Sequence, residues 1–148
     1  MRVVVQRVSE ASVRINGEVR GEIGSGFMIL LGIEHEDDSQ DVEWLCRKIT
    51  NLRVFSDDQG LMNRSIKDVS GNSLVISQFT LHASIKKGNR PSFIRAAKPE
   101  HAIPLYENFL EQLSGMIGYP VETGEFGADM KVELINDGPV TLIIDSRN

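Results

Sequence analysis

The spacing of apolar and polar residues changes period several times along the chain, and each change predicts an element. Met1 to Val8, apolar except at Arg2, Gln6 and Arg7, reads as a first strand. Ala11 to Ile15 and Glu18 to Ile23 flank Asn16-Gly17, a pair that readily supplies the two positive φ angles of a tight hairpin. Gly26 to Ile33 is a continuous apolar run, short enough for a buried strand. The period then lengthens. Val42, Leu45, Cys46, Ile49 and Leu52 fall on one face of a helix that starts near Asp38 or Ser39 and should cover one face of a sheet.

Arg53 to Phe55 reads as a brief strand, Ser56 to Gly60 as a turn, and Ser73 to Leu81 as a strand too apolar to face water on both sides. Residues 82–98 show no period and read as a loop. Leu105, Tyr106, Phe109, Leu110 and Leu113 line one face of a second helix, with Pro104 in its first turn and a stop near Gly115. Strands follow near Val121, over Met130 to Ile135 and over Val140 to Asp145, the last two joined by a corner at Asn136 to Pro139. The pattern predicts a single domain spanning 1–148, mixed α/β and sheet-rich, with two main helices.

A chain of 148 residues supports one substantial core, and 41% hydrophobic with 25% charged residues is an ordinary globular balance. The net charge of -5 provides no overall attraction to a polyanion, so any contact with nucleic acid must be local. One segment is suited to it: residues 82–98 carry Lys86, Lys87, Arg90, Arg95 and Lys98 and no acidic residue. The single cysteine, Cys46, excludes an internal disulfide and reads as a small core residue. No apolar stretch approaches the roughly 18 residues of a membrane span, and the start lacks a secretory pattern, so a soluble cytoplasmic setting is expected.

Familiar catalytic patterns are missing: there is no HExxH, paired CxxC, G-x-S-x-G, Walker A or GxGxxG motif, and no metal or cofactor is expected. His35, His82 and His101 stand in polar or loop-like contexts and read as exposed. Neither Asp37-Asp38 nor Asp57-Asp58 has calcium-loop spacing. Thr80 is a candidate nucleophile, but its hydroxyl is weak unless a base takes its proton. Were the strand to continue through His82, the two side chains would share a face and His82 would be the base on offer. On residue chemistry alone, Ser77, Gln78 and Thr80 read as polar groups that satisfy backbone where a strand ends.

Several blocks taken in order change that reading: Arg7 in the first strand, Ser77-Gln78-Phe79-Thr80-Leu81, Lys87 to Phe93, Thr123 to Met130, and Asn136-Asp137-Gly138-Pro139-Val140-Thr141. Over essentially its whole length the chain resembles the D-aminoacyl-tRNA deacylases. The resemblance implies a barrel-like β domain with two helices packed on it. It also implies hydrolysis of the ester of D-aminoacyl-tRNA, and of glycine mischarged on tRNA(Ala), without metal or cofactor.

The partners implied are a second copy of the chain, as a homodimer, and the acceptor end of tRNA with its terminal adenosine, but neither DNA nor membrane. Backbone N–H groups of Phe79 and Thr80 would stabilise an oxyanion. Ser77, Gln78, Phe126 and Met130 would line the substrate pocket. Gly138 and Pro139, with their peptide bond cis and braced by Arg7, would enter the partner's site and reject L substrates. Water assisted by the 2'-hydroxyl of the adenosine is preferred to a covalent Thr80 ester, because the chain offers no convincing base. The rival reading is a non-catalytic RNA-binding or interaction module on the same fold.

Overall fold

The computed structural model describes residues 1–148. Asn16 and Gly17 take φ of 52° and 81°, and strand β1 (Arg2–Ile15) folds back there onto β2 (Glu18–Ile23). β1 is one strand where the pattern predicts two segments. Ser9 and Glu10 are exposed and interrupt the apolar run, yet Glu10 keeps its place in the ladder opposite Ile135.

Strand β3 (Gly26–Gly32) pairs antiparallel with the first half of β1. The chain then crosses through helix α1 (Ser39–Asn51) and a small hairpin, β4 (Phe55–Ser56) with β5 (Met62–Arg64). It returns as β6 (Asn72–Ser77), parallel to β3. A 3₁₀ turn (Phe79–His82), a loop and helix α2 (Pro99–Ile117) lead to β7 (Glu122–Thr123), parallel to β6. The last strand, β8 (Lys131–Asp145), runs antiparallel to β1 along almost its full length.

The sheet order is β2-β1-β3-β6-β7 with β8 on β1. The sheet curls until β2 approaches β7, and at Gly21 a Cβ would lie 2.9 Å from the Thr123 carbonyl oxygen. The result is a nearly closed barrel.

Both faces of β3 and β6 are covered, which explains their unbroken apolar runs. Phe27, Ile29, Leu31 and Val75 pack with Val42, Leu45 and Ile49 of α1 and Phe109 and Leu113 of α2. Met28, Leu74 and Ile76 turn the other way, into the barrel, against Val8, Ala11, Val13 and Ile23. Asp38 caps α1: its carboxylate accepts from the Gln40 and Asp41 N–H groups, while Asp41 accepts from the Asp38 N–H. Cys46 is a core residue whose Sγ–H points to the Phe109 carbonyl, and burial pushes its thiol up to about 12.

α2 departs from the prediction at both ends. Pro99 serves as its first residue, where a missing N–H costs nothing, so Pro104 lies inside the helix. The carbonyl that Pro104 leaves unpaired belongs to Glu100, and both residues are exposed, so water can satisfy it. The helix passes Gly115 and stops at Gly118, where φ is 102° and the N–H donates to the Ser114 carbonyl.

β8 likewise continues through the predicted corner. Its register jumps from Thr141 opposite Gln6 to Asn136 opposite Val8, so 137–140 bulge out across from Arg7. Gly26 is held to glycine by close approach: φ is 154°, and a Cβ would overlap the Asn72 carbonyl. Gly26→Ala should therefore destabilise the fold by about 3 kcal/mol, read as a lower urea midpoint with an unchanged slope.

Candidate active site

The site begins where the parallel pair ends. The Gln78 N–H donates to the Leu31 carbonyl at 2.8 Å, completing the β3–β6 edge. Here β3 runs out, and the chain turns instead of extending to Leu81 as the apolar pattern predicts. Leu81 N–H donates to the Gln78 carbonyl and Ala83 N–H to the Thr80 carbonyl. Arg2 Nη1 adds a bond of 3.0 Å to the Leu81 carbonyl, tying the turn to β1. Gly32 makes the packing possible: a Cβ there would lie 3.0 Å from both the Gln78 oxygen and Leu81 Cβ, and 3.1 Å from His82 Cδ2.

The turn separates Thr80 from His82. Thr80 is exposed, and its hydroxyl accepts a hydrogen bond from the Gln78 side-chain amide. His82 is 2% exposed and faces Glu34, so it is neither the surface histidine predicted nor a base for Thr80. His35 and His101 are exposed, as predicted. The Phe79 and Thr80 amides open the 3₁₀ turn, the position at which a helix leaves N–H groups without an internal acceptor.

Beside these amides lies a cavity of about 320 Å³ with a mainly apolar lining. Ser77, Gln78 and Phe79 form one wall, Phe126 and Met130 another, and Leu31 and Ile33 also line it. Phe79 is 56% exposed and meets Phe93 edge-on at 5.1 Å. Phe126 leans on Tyr106, whose hydroxyl burial pushes up, opposed by its hydrogen bond with Thr123. Gly124 leaves room for Met130, since a Cβ there would be 2.5 Å from the sulfur. Asp129 is the one titratable side chain in the lining. A cavity of this kind can enclose a small apolar group and present N–H donors to a carbonyl, but it holds no aligned nucleophile and base.

Thr80, Arg7, Gly138 and Pro139 are not part of this lining. The Gly138-Pro139 bond is cis, and Asp137, Gly138 and Pro139 are exposed. Arg7 grips this bulge from beneath: Nε donates to the Asp137 carbonyl at 3.0 Å and Nη1 to the Val54 carbonyl at 2.6 Å. Gly138 has φ of 128°, and a Cβ there would sit 2.9 Å from Arg7 Nη2.

The basic loop has structure of its own. Ser84 and Ser92 exchange backbone hydrogen bonds of 2.8 and 2.9 Å, and Lys86, Lys87, Arg90 and Arg95 surround a shallow concavity. Glu34 is a site neighbour that no sequence motif marks. It follows Ile33 at the end of an apolar run, where an acidic residue that becomes buried points to a charge partner nearby.

Comparison with known proteins shows the family. The family model described as D-Tyr-tRNA(Tyr) deacylase matches residues 4–145. The chain is 64% identical to a D-aminoacyl-tRNA deacylase of Bacteroides fragilis (strain YCH46) and 58% identical to one of Parabacteroides distasonis, each over 100% of this chain and 99% of the relative. Among solved structures it superposes on one titled "c-Myc DNA Unwinding Element Binding Protein" with a TM-score of 0.91 and 44% identity, covering 98% of both chains. A probable eukaryotic D-amino acid tRNA deacylase shares the fold, with a TM-score of 0.83 at 15% identity over 97% of both chains.

The nearly closed barrel with two helices packed on it defines a mixed α/β fold, and it sets a turn with free backbone donors beside an apolar cavity. The chain belongs to the D-aminoacyl-tRNA deacylase family, whose curated members are ester hydrolases.

Arg7 is the residue whose loss is easiest to read in stability. Arg7→Ala removes two charge-assisted bonds to carbonyls and should cost about 1.5–3 kcal/mol in chemical denaturation. Arg7→Lys should recover less than half of that, because an ammonium cannot span both carbonyls as a guanidinium does.

Proposed function

We propose that the protein hydrolyses the ester between a D-amino acid, or glycine mischarged on tRNA(Ala), and the terminal adenosine of tRNA. The observation that carries this reading is the meeting of Ser77, Gln78 and Phe79 with Phe126 and Met130 around one cavity, at the mouth of a turn whose first amides are Phe79 and Thr80. The adenosine end and the amino-acid ester occupy that cavity. The two amides stabilise the oxyanion formed when water adds to the carbonyl, a contribution of about 10²- to 10³-fold per donor in comparable sites. With His82 turned away, water assisted by the substrate's 2'-hydroxyl is the nucleophile, and Thr80 positions the ester through its contact with Gln78.

Handedness is read at the alpha carbon rather than in a side-chain pocket, because one methylene in such a pocket discriminates by only about 1–3 kcal/mol. The Gly138-Pro139 bulge stands exposed and braced by Arg7, clear of its own chain's cavity, so it suits the role of a probe entering the site of a second copy. The protein therefore works as a homodimer. The bulge carbonyls crowd the direction an L side chain would take, and glycine passes because it has none. The loop bearing Lys86, Lys87, Arg90 and Arg95 takes the phosphates of the acceptor end.

Purified protein should deacylate a D-aminoacyl-tRNA and leave its L counterpart intact; inactivity on both would favour the non-catalytic RNA-binding or interaction module. Thr80→Ala keeps the backbone donor and should retain single-turnover hydrolysis to within about tenfold, whereas Thr80→Pro deletes the N–H and should lose about 10²-fold or more with a similar melting curve. A near-total loss in Thr80→Ala would instead indicate a covalent threonine ester. Full activity on a substrate ending in 2'-deoxyadenosine would remove the hydroxyl-assisted step. Pro139→Ala should lower the D-over-L rate ratio at least tenfold, a change of about 1.4 kcal/mol in discrimination.

A further inference from the structure

His82 is a buried polar residue that the hydrolysis described above leaves unused. It closes the 3₁₀ turn, and neither of its ring nitrogens makes a hydrogen bond. Buried polar atoms without partners are uncommon in folded proteins and point to a role. Nδ1 lies 3.3 Å from Glu34 Oε1, within ion-pair range but misaligned for a hydrogen bond. The same oxygen is 2.5 Å from Arg95 Nη2. Arg95 is largely exposed and lines the basic concavity with Lys86, Lys87 and Arg90. One carboxylate oxygen thus stands between the turn that carries the site amides and the loop that faces RNA.

Glu34, Asp37 and His82 bring their ligand atoms within 4.8 Å of one another, as a metal centre would. The surrounding charges oppose that reading. Asp37 Oδ1 already receives the Met1 ammonium at 2.6 Å and Arg147 Nε at 3.2 Å, and Oδ2 accepts the Glu34 N–H at 2.7 Å. An added cation would meet that ammonium and the guanidinium groups of Arg95 and Arg147 at close range. The protein's own cations already fill the places of a metal.

We propose that Glu34 and His82 are positioning residues for deacylation, a proposal that rests on the function given above. When the basic loop engages an RNA phosphate, Arg95 leaves Glu34 Oε1 for the phosphate. The freed oxygen accepts the Nδ1–H of His82, and the 3₁₀ turn is drawn into the geometry in which the Phe79 and Thr80 amides meet the reacting carbonyl. Small displacements suffice, because a misplacement of about 1 Å can cost about a hundredfold in rate. The turn is already held at Gln78 and Leu81, so the imidazole end is the part left to move.

The test compares single-turnover rates and KM on D-aminoacyl-tRNA and on D-aminoacyl-adenosine, which lacks the phosphates. His82→Leu preserves apolar packing and should reduce the rate on tRNA about tenfold with KM within about twofold, whereas His82→Asn, which restores an N–H near Nδ1, should return to within about threefold of wild type. Arg95→Gln frees Glu34 without RNA. It should raise KM on the tRNA yet increase the rate on D-aminoacyl-adenosine about threefold.

Wild-type rates in His82→Leu, equal losses in His82→Leu and His82→Asn, or an unchanged or lower adenosine rate in Arg95→Gln would each overturn the proposal. The Arg95 arm stands even if His82→Leu does not fold, because Arg95 lies at the surface. Inactive wild-type protein would overturn the deacylase reading itself, whereas active wild type with unresponsive variants would overturn the positioning role alone.

Discussion

The parallel pairing of β3 with β6 is the constraint from which the site follows. Two neighbouring strands are buried on both faces, one side by α1 and α2 and the other by the barrel interior. Strands enclosed in this way cannot slip, because a shift of one residue would exchange two apolar surfaces that fit different partners. Their shared end is therefore fixed in space. The bond from Gln78 to Leu31 closes it, so the turn beyond starts from a fixed point and its amides can shift only slightly. In the mechanism proposed above the donors belong to the backbone, and backbone donors can be aimed only through the fold.

A second anchor serves the other conspicuous feature. The bulge at 137–140 is exposed, yet it is not a loose loop, because it grows out of the long β1–β8 ladder and Arg7 holds it from the sheet side. The same guanidinium reaches the Val54 carbonyl just ahead of β4, linking bulge and small hairpin. Stiffness at an exposed position is unusual, and it is what the proposed role of the bulge as a probe would require.

Much of the fold was legible because local chemistry and tertiary environment agreed. Asn16-Gly17 adopted the angles its residues favour, the α1 stripe faced the core, and the glycine-bounded run of β3 was buried. The errors arose where an apolar run has two explanations. Phe79 and Leu81 look like strand residues, but they follow the last position at which β3 offers a partner, and no local pattern marks that end. The start of α2 was obscured by Pro104, because a proline tolerated on a wet face resembles one at a helix start. Recognisable blocks identified the cavity residues, whereas the Glu34–His82–Arg95 arrangement joins three segments whose proximity only the folded chain reveals.

The single thiol has a consequence beyond packing. With Cys46 enclosed between α1 and α2 and its thiol pushed up by burial, the native molecule presents no thiolate to alkylating agents or peroxides. Oxidative stress therefore has no cysteine handle on this protein while it stays folded. Any cysteine introduced on its surface would become the sole point of attachment for a fluorophore or spin label.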